Sequence, residues 1–418
     1  MSEGQASQKH IYVVGAGIVG VCAALSLLRD GHAVTLVDRQ GPGEGASFGN
    51  GAVITPDSIV PVATPGILRQ VPGMLLDPLG PLRIRWSYLP RLLPWLMPFL
   101  TASRPSRVEA IARSLSVLME DAVEAYRPLT EMAGAADMIK RSGWICVYES
   151  EQEFRAGAER HALQKRCGVK LEALNGEELQ QLEPALGKSF QRGVFYPDAA
   201  HTVNNFRLVQ VLAEALTRNG GRILQAEVRG FETGEQGVRA LRTDLGRHAC
   251  DGVVIAAGAW SKRLCAELGS SPPLDTERGY HLTVTEPGVA PRIPLYSTRR
   301  GIVCTPQEHG LRIAGTVELG GLEAPPDWRR AEVLMTRAKS MLPGLQEKGV
   351  TRWMGYRPSM PDSVPVISAS PHHANAFFAF GHGHIGLSLG ARSGALVADL
   401  AAGRDPGIDM RPYRIDRF

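Results

Sequence analysis

Three glycines and one carboxylate carry the first chemical signal in this 418-residue chain. In the run HIYVVGAGIVG, residues 10–20, Gly15 permits a tight turn and Gly17 lets backbone N–H groups approach a pyrophosphate. Gly20 lets the helix that begins there, through Ile18 and Val19, lie against a sheet. The phosphate charge then meets a positive helix N-terminus. Asp38 ends the apolar strand 33–37, where its carboxylate can accept both hydroxyls of an adenosine ribose. A glycine triplet alone is weak evidence. Here strand, helix and acid all stand at the required spacing, and dinucleotide binding follows.

Three further glycine-rich stretches need elements to hold them. The loop GPGEGASFGNGA, residues 41–52, cannot pack a core; it either wraps a flat or charged ligand through its backbone or is a mobile surface connection. A strand at 247–256 runs into AAGAW, residues 256–260, which again describes backbone passing close to a ligand. The strand AFFAF, 376–380, breaks at GHGHIG, 381–386, and enters a helix over 388–402. That second strand–glycine–helix unit lies more than three hundred residues from the first. It implies a discontinuous domain in which both ends of the chain hold one long ligand.

The length suggests two or three domains. With 44% hydrophobic and 21% charged residues the composition is that of a soluble globular protein. A net charge of +4 gives no reason to expect nucleic acid and would not oppose an anionic membrane surface. Cys22, Cys146, Cys167, Cys250, Cys265 and Cys304 are scattered without a CxxC pair. No zinc or iron–sulfur site, no metal site and no disulfide framework is therefore expected, and a reducing cytoplasm fits best. Residues 11–28 are almost wholly apolar, but their glycines mark a buried strand turning into a buried helix rather than a signal peptide or membrane span. Residues 1–9 read as a disordered polar tail.

Between Trp86 and Leu100 prolines recur every fourth residue among aromatics and leucines, with Arg83, Arg85, Arg91 and Arg104 around them. That spacing argues against a long regular helix, and the stretch is too short to span a bilayer. It either packs between domains or forms a membrane-surface or quinone-facing patch. Residues 107–130 read as one amphipathic helix ending near Pro128, and 203–219 as another stopped by Gly220. Strands are expected at 222–228 and 237–243, a mostly antiparallel sheet from 276–285 and 310–317, and a helix over 330–341. The segment 353–367 is extended and fixed by prolines.

Together GAGIVG with Asp38, GASFGNGA, AAGAW, and GYRPSMPDSVPVI followed by GHGHIGLSLG resemble the FAD-dependent D-amino-acid dehydrogenase and oxidase family, relatives of glycine and sarcosine oxidases. The likeness runs nearly end to end and favours the dehydrogenase branch. The phrase TERGYHL at Thr276 looks like the subgroup acting on cis-4-hydroxy-D-proline. The resemblance implies an α/β fold. A Rossmann-like FAD-binding domain would comprise residues 8–60, 195–270 and 346–418. A second α+β substrate domain on a mostly antiparallel sheet would comprise 61–194 and 271–345. It implies that Gly15, Gly17 and Gly20 meet the pyrophosphate, Asp38 and Arg39 the ribose, and Ser47 the phosphates. Gly49, Asn50 and Gly51 would follow the isoalloxazine edge, Val228 the adenine, and Gly258 with Trp260 would close the cleft. Gly383, His384, Ile385 and Gly386 would aim helix N–H groups at the flavin N1–C2=O locus. No cysteine follows Cys304, so the covalent link known in the family is not available and FAD is expected to be noncovalent.

An amino acid oxidised at Cα needs its carboxylate anchored. Arg357 occupies the family's clamp position, where its fork matches a carboxylate, unless it is spent on a structural pair with Asp362. Tyr280 could add a hydroxyl to the same carboxylate or simply satisfy a partner in the core. His384 and His201 are candidates for polar contact or proton relay, or structural histidines. The expected reaction is hydride transfer from Cα of a D-amino acid to flavin N5. Electrons would go to a quinone or dye, in a cytoplasmic protein that could touch the inner face of the membrane. An oxygen-reducing amine oxidase, an NAD-dependent dehydrogenase and a catalytically silent FAD-binding scaffold stand as alternatives.

Overall fold

The computed structural model describes residues 8–66, 73, 80 and 82–418. The tail expected to be disordered lies, through residue 7, outside the described residues. Both ends of the chain meet in one six-stranded sheet. Its order from one edge is Arg222–Gln225, Ala33–Asp38, His10–Val14, Gly252–Ile255, Ala376–Phe380 and Val366–Ala369. The first five strands are parallel and the last antiparallel. The run Tyr12–Val14 is buried on both faces, as parallel strands covered by other layers must be. Helices Ile18–Arg29, Asn205–Arg218 and Gly386–Ala402 cover one face through Val21, Leu25, Leu212 and Leu396. An antiparallel trio, Val228–Gly234, Gly237–Thr243 and Gly246–Ala249, covers the other through Phe231, Val238 and Leu241.

That trio corrects two boundaries. The single strand expected over 222–228 is two strands in different sheets, parted at Ala226, whose N–H is taken by the Asp38 carbonyl. The strand expected over 247–256 likewise splits at Cys250 and Asp251.

The second sheet is large and mostly antiparallel. Lys348–Ser359 pairs along Asp275–Glu286, which pairs with Gly310–Leu319 and then Ile302–Gln307. Leu295–Ser297, Trp144–Tyr148, Arg192–Tyr196 and Glu172–Asn175 complete its main path. Lys348–Ser359, expected with the cofactor domain, thus belongs to this sheet. Helix Arg329–Met341 seals one face, burying Tyr280, Leu282 and Val284 against Leu334 and Ala338.

Two helices depart from expectation. Leu89–Ala102 is an α-helix despite Pro94 and Pro98 inside it. Pro90, Pro94 and Pro98 fall at i, i+4 and i+8, so the missing donors line up on one stripe. Pro90 and Pro94 are exposed, and water can reach the carbonyls left free there. The helix expected over 107–130 ends at Met119, and Pro128 stands in the first turn of a new helix, Arg127–Ala133, where no donor is needed. No helix of the described residues is long and apolar enough to cross a membrane. All six cysteines are free.

Candidate active site

A cavity of about 1470 Å³ runs between the two sheets. It starts at the turn after the first strand, follows the 45–51 loop, and reaches the Gly383–His384 turn and Arg357. Pockets for single small molecules are typically about 300–1000 Å³, so there is room for a dinucleotide and a second molecule.

Its floor is bare backbone. Gly15 has φ +110°, and a Cβ there would stand 2.3 Å from the Ala256 carbonyl oxygen, so only glycine fits. Gly258 and Gly383 line the cavity with φ near +55° and +53° and nothing within 4 Å of a Cβ position, so no side chain covers the backbone there, although the Gly383 N–H is donated to the Pro358 carbonyl at 2.6 Å rather than aimed at the cavity. At the N-terminus of helix Ile18–Arg29 the Ile18 N–H donates to Ser47 Oγ at 2.9 Å. Asp38 is pinned at its strand end: Oδ2 accepts from the Ala16 N–H at 2.7 Å and Oδ1 from Gln40 at 2.9 Å. Burial pushes its pKa above the usual carboxylate value. Arg39 lies 4.2 Å over the Trp260 ring, and the two form one wall. A glycine floor, a helix N-terminus and a terminal carboxylate are what a pyrophosphate with a ribose requires.

Of the residues expected at the dinucleotide, Gly15, Gly17, Ile18, Val19, Asp38 and Arg39 line the cavity. So do Ser47, Gly49, Asn50 and Gly51 from the loop, Val228, Gly258 and Trp260 from the middle, and Gly383, His384 and Gly386 from the end. Gly20 and Ile385 are not in that lining. A Cβ at Gly20 would stand 1.8 Å from the Gly15 carbonyl oxygen, so its service is to close the helix onto the turn. Ile385 is buried in the apolar core.

At the far end stands Arg357. Its Nη1 donates to the Thr316 carbonyl at 3.1 Å, and its guanidinium spreads over Gly279, where a Cβ would come within 2.3 Å of Cζ. Asp362 does not pair with it; that carboxylate holds Arg417 at 2.9 and 3.0 Å. The residue directly across the strand pair is Glu277, which also lines the cavity and whose Oε1 accepts from Ser359 Oγ at 2.7 Å. Burial lowers the pKa of Arg357 while the charge of Glu277 raises it; an arginine remains cationic under both. His384 is held below the ordinary histidine value, first by burial, with Glu277 opposing and Arg357 and Arg160 reinforcing.

Two expected residues lie elsewhere. On strand Asp275–Glu286 side chains alternate between faces, and Glu277 and Gly279 take the cavity face. Tyr280 therefore points the other way, fully buried, donating to Glu318 Oε2 and accepting from the Asp327 N–H at 2.9 Å. His201, in strand Ala200–Thr202, is hydrogen-bonded through Nδ1 to Ser142 Oγ at 2.8 Å and is absent from the cavity wall. Burial pushes its pKa down to about 4. Residues not anticipated are Glu277, Gly279 and Arg160. The alternation in TERGYH puts Glu277 and Gly279 on one face without saying that this face meets the cavity, and Arg160 sits on a short helix among other charges with no signal to mark it.

The profile of the family described as FAD dependent oxidoreductase matches residues 10–400. A curated D-amino-acid oxidase of Bradyrhizobium diazoefficiens is 40% identical, the match covering 98% of this chain and 99% of that one. D-amino acid dehydrogenase 2 of Ralstonia nicotianae is 32% identical over 98% of this chain and all of its own. The solved glycine oxidase of Geobacillus kaustophilus superposes with a TM-score of 0.75 over 98% of this chain and 100% of its own, at 20% identity, a likeness of fold.

Proposed function

The chain belongs to the FAD-dependent oxidoreductases, and from that premise we propose that it oxidises a D-amino acid at Cα. The observation that carries this reading is the pairing of Arg357 with Glu277 on one cavity wall, beside the Gly383–His384 turn. A zwitterion has one group for each. Arg357 would take the carboxylate in a two-point fork, and Glu277 the ammonium. These two contacts orient the substrate, and the cavity wall that admits its side chain would be the third point that reads handedness. The D form is favoured by the names of the relatives at 40% and 32% identity. FAD, when bound, supplies the two-electron acceptor for the Cα hydride. The open backbone at Gly258 and Gly383 and the pinned Asp38 would hold it, and none of the six cysteines lines the cavity, which favours noncovalent attachment.

The residues then have limited work. Glu277 can draw the ammonium proton away so that the nitrogen lone pair assists hydride departure, and alignment contributes much of the acceleration. The imino acid product is hydrolysed by water to a 2-oxo acid and ammonia; a cyclic substrate such as cis-4-hydroxy-D-proline would give a pyrroline carboxylate.

For the electron acceptor a quinone or dye is the first reading. Helix Leu89–Ala102 lines the cavity with Trp95, Leu96 and Phe99 and presents Leu93 and Met97 outward, so one apolar element touches both the site and the exterior. Oxygen is the second reading, favoured by the oxidase name of the relative at 40% identity. Anaerobic mixing with D- and L-amino acids tests the reaction: bleaching of the flavin by D-enantiomers alone is expected, and no bleaching by any of them would refute it. Re-oxidation by a quinone analogue against air, followed through peroxide, separates the two acceptors.

A further inference from the structure

The cavity contains a second enclosed guanidinium. Arg160, on helix Ala158–Arg166, lines the same wall and makes no hydrogen bond or ion pair with any described residue. Its Nε is sealed from solvent. The polar groups around it are bonded to one another, except for Asp57 Oδ2, which has no partner. The Trp144 indole N–H donates to Asp57 Oδ1 at 3.0 Å, the Tyr196 hydroxyl to Gln164 Oε1 at 3.1 Å, and the Tyr148 hydroxyl meets His161 Nε2 at 3.0 Å. Tyr296 stacks on Trp144 with ring centroids 5.4 Å apart. Asp57 is near enough for its charge to be felt, but it forms no ion pair with Arg160 and is absent from the cavity wall. A cation in a phenol-lined alcove with unused donors is costly to keep unless something else pairs with it.

Arg160 is also close to the chemistry. Arg357 holds the Thr316 carbonyl, Gly315 beside it pairs with Ile302, and Val303 next to that pairs with Tyr296, so only neighbouring strands of one sheet separate the two guanidiniums. Resting on the D-amino-acid reading above, we propose that Arg160 receives the side-chain carboxylate of the substrate, whose α-carboxylate lies on Arg357, so that the enzyme selects acidic D-amino acids. Arg160, Arg357 and Glu277 would meet, in turn, the two carboxylates and the ammonium of D-aspartate or D-glutamate.

The test compares kcat/KM for D-glutamate, D-glutamine, D-methionine and cis-4-hydroxy-D-proline in the wild type, Arg160→Gln and Arg160→Lys. D-Glutamate should exceed its amide by about 10- to 100-fold, the worth of one buried charge-assisted pair. Arg160→Gln should erase that ratio through KM, and Arg160→Lys should restore part of it. Glutarate should inhibit the wild type competitively and far better than butyrate. Equal use of D-glutamate and D-glutamine by the wild type, a preference for cis-4-hydroxy-D-proline, or an equal loss on all substrates in Arg160→Gln would overturn the subsite. If no D-amino acid reduces the flavin, it is the functional reading itself that fails. Turnover of neutral D-amino acids without the acidic preference defeats the Arg160 proposal alone.

Discussion

Glu277 and Arg357 stand directly opposite each other on neighbouring antiparallel strands, on the face that lines the cavity, and they do not form an ion pair. Gly279, two residues along, leaves the space into which the guanidinium lies. Opposite charges placed side by side but not consumed by each other are available to a ligand with both charges. Replacing Arg357 by alanine should therefore raise KM for an amino acid by roughly 100-fold, the loss of a two-point charged hydrogen bond. Lysine should recover only part, being a point charge. Flavin content, read from the visible spectrum, should not change, and a KM near the wild-type value would refute the clamp.

Glu277→Gln keeps the size and the bond from Ser359 but removes the charge that would face the ammonium in the proposed reaction. KM should rise by about tenfold, with a further fall in the rate of flavin reduction if the carboxylate also takes the proton. Stopped-flow reduction under anaerobic conditions separates the two. A variant that reduces as fast as the wild type at saturation confines Glu277 to binding.

The glycines divide into those the fold needs and those the ligand needs. Gly15→Ala drives a Cβ into the Ala256 carbonyl, which is backbone and cannot yield, so both folding yield and flavin content should fall. Gly383→Ala meets nothing within 4 Å and incurs only the left-handed conformation at φ +53°, about 1 kcal/mol. It should fold with a small drop in Tm yet bind FAD measurably more weakly, because the methyl group enters the cavity. Titration of apoprotein with FAD beside a thermal melt checks the contrast.

Local chemistry was legible. The strand–glycine–helix units at 10–29 and 376–402, the helix that stops before Gly220 and the acid at 38 follow from residue types and spacing alone. The face of a strand was not. Asp275–Glu286 is buried on both sides, between helix Arg329–Met341 and the cavity, so its pattern does not say which parity meets the ligand. Chemistry alone favoured Tyr280; parity gave the site to Glu277. Arg160 was invisible for a related reason, since only the tertiary fold turns one arginine of a polar helix inward. The helix with stacked prolines defied a rule that holds for a single proline but weakens when the lost donors share one solvent-facing stripe.

Burial sets an acid sensitivity. His281 and His382 are pushed down to about 3, whereas the unfolded chain returns each to about 6.5. Above that value neither state is protonated. Below it only the unfolded chain binds the protons, and stability falls by up to about 1.4 kcal/mol per pH unit for each such group. Asp57, raised to about 7, pulls the other way over part of the same window. The clean measurement is a difference. His281, whose Nδ1 meets the Gly49 carbonyl at 3.0 Å and so carries the proton there, can be replaced by glutamine. The slope of unfolding free energy between pH 6 and 5 should flatten by about one proton's worth, or about 1.4 kcal/mol per unit. An unchanged slope would show that His281 already titrates in the folded chain.

The outward face of helix Leu89–Ala102 poses the last question. Trp86, Leu93 and Met97 are 64%, 50% and 63% exposed, while Leu92 and Trp95, on the other side, are buried and the Trp95 indole is fixed to the Ser359 carbonyl at 3.0 Å. Leu93 and Met97 are one turn apart, so they form one stripe, with Arg91 close in sequence. Three large apolar side chains and a cation suit the boundary layer of an anionic bilayer, each contributing of order 1 kcal/mol when half inserted. Trp86→Ser combined with Met97→Ser should lower partition onto anionic vesicles by at least about tenfold, and salt should weaken what remains. Because neither residue lines the cavity, reduction of the flavin by a D-amino acid should persist while electron delivery to a membrane-embedded quinone slows. Equal vesicle binding by wild type and variant would assign the stripe to some other use and leave oxygen the stronger candidate for the acceptor.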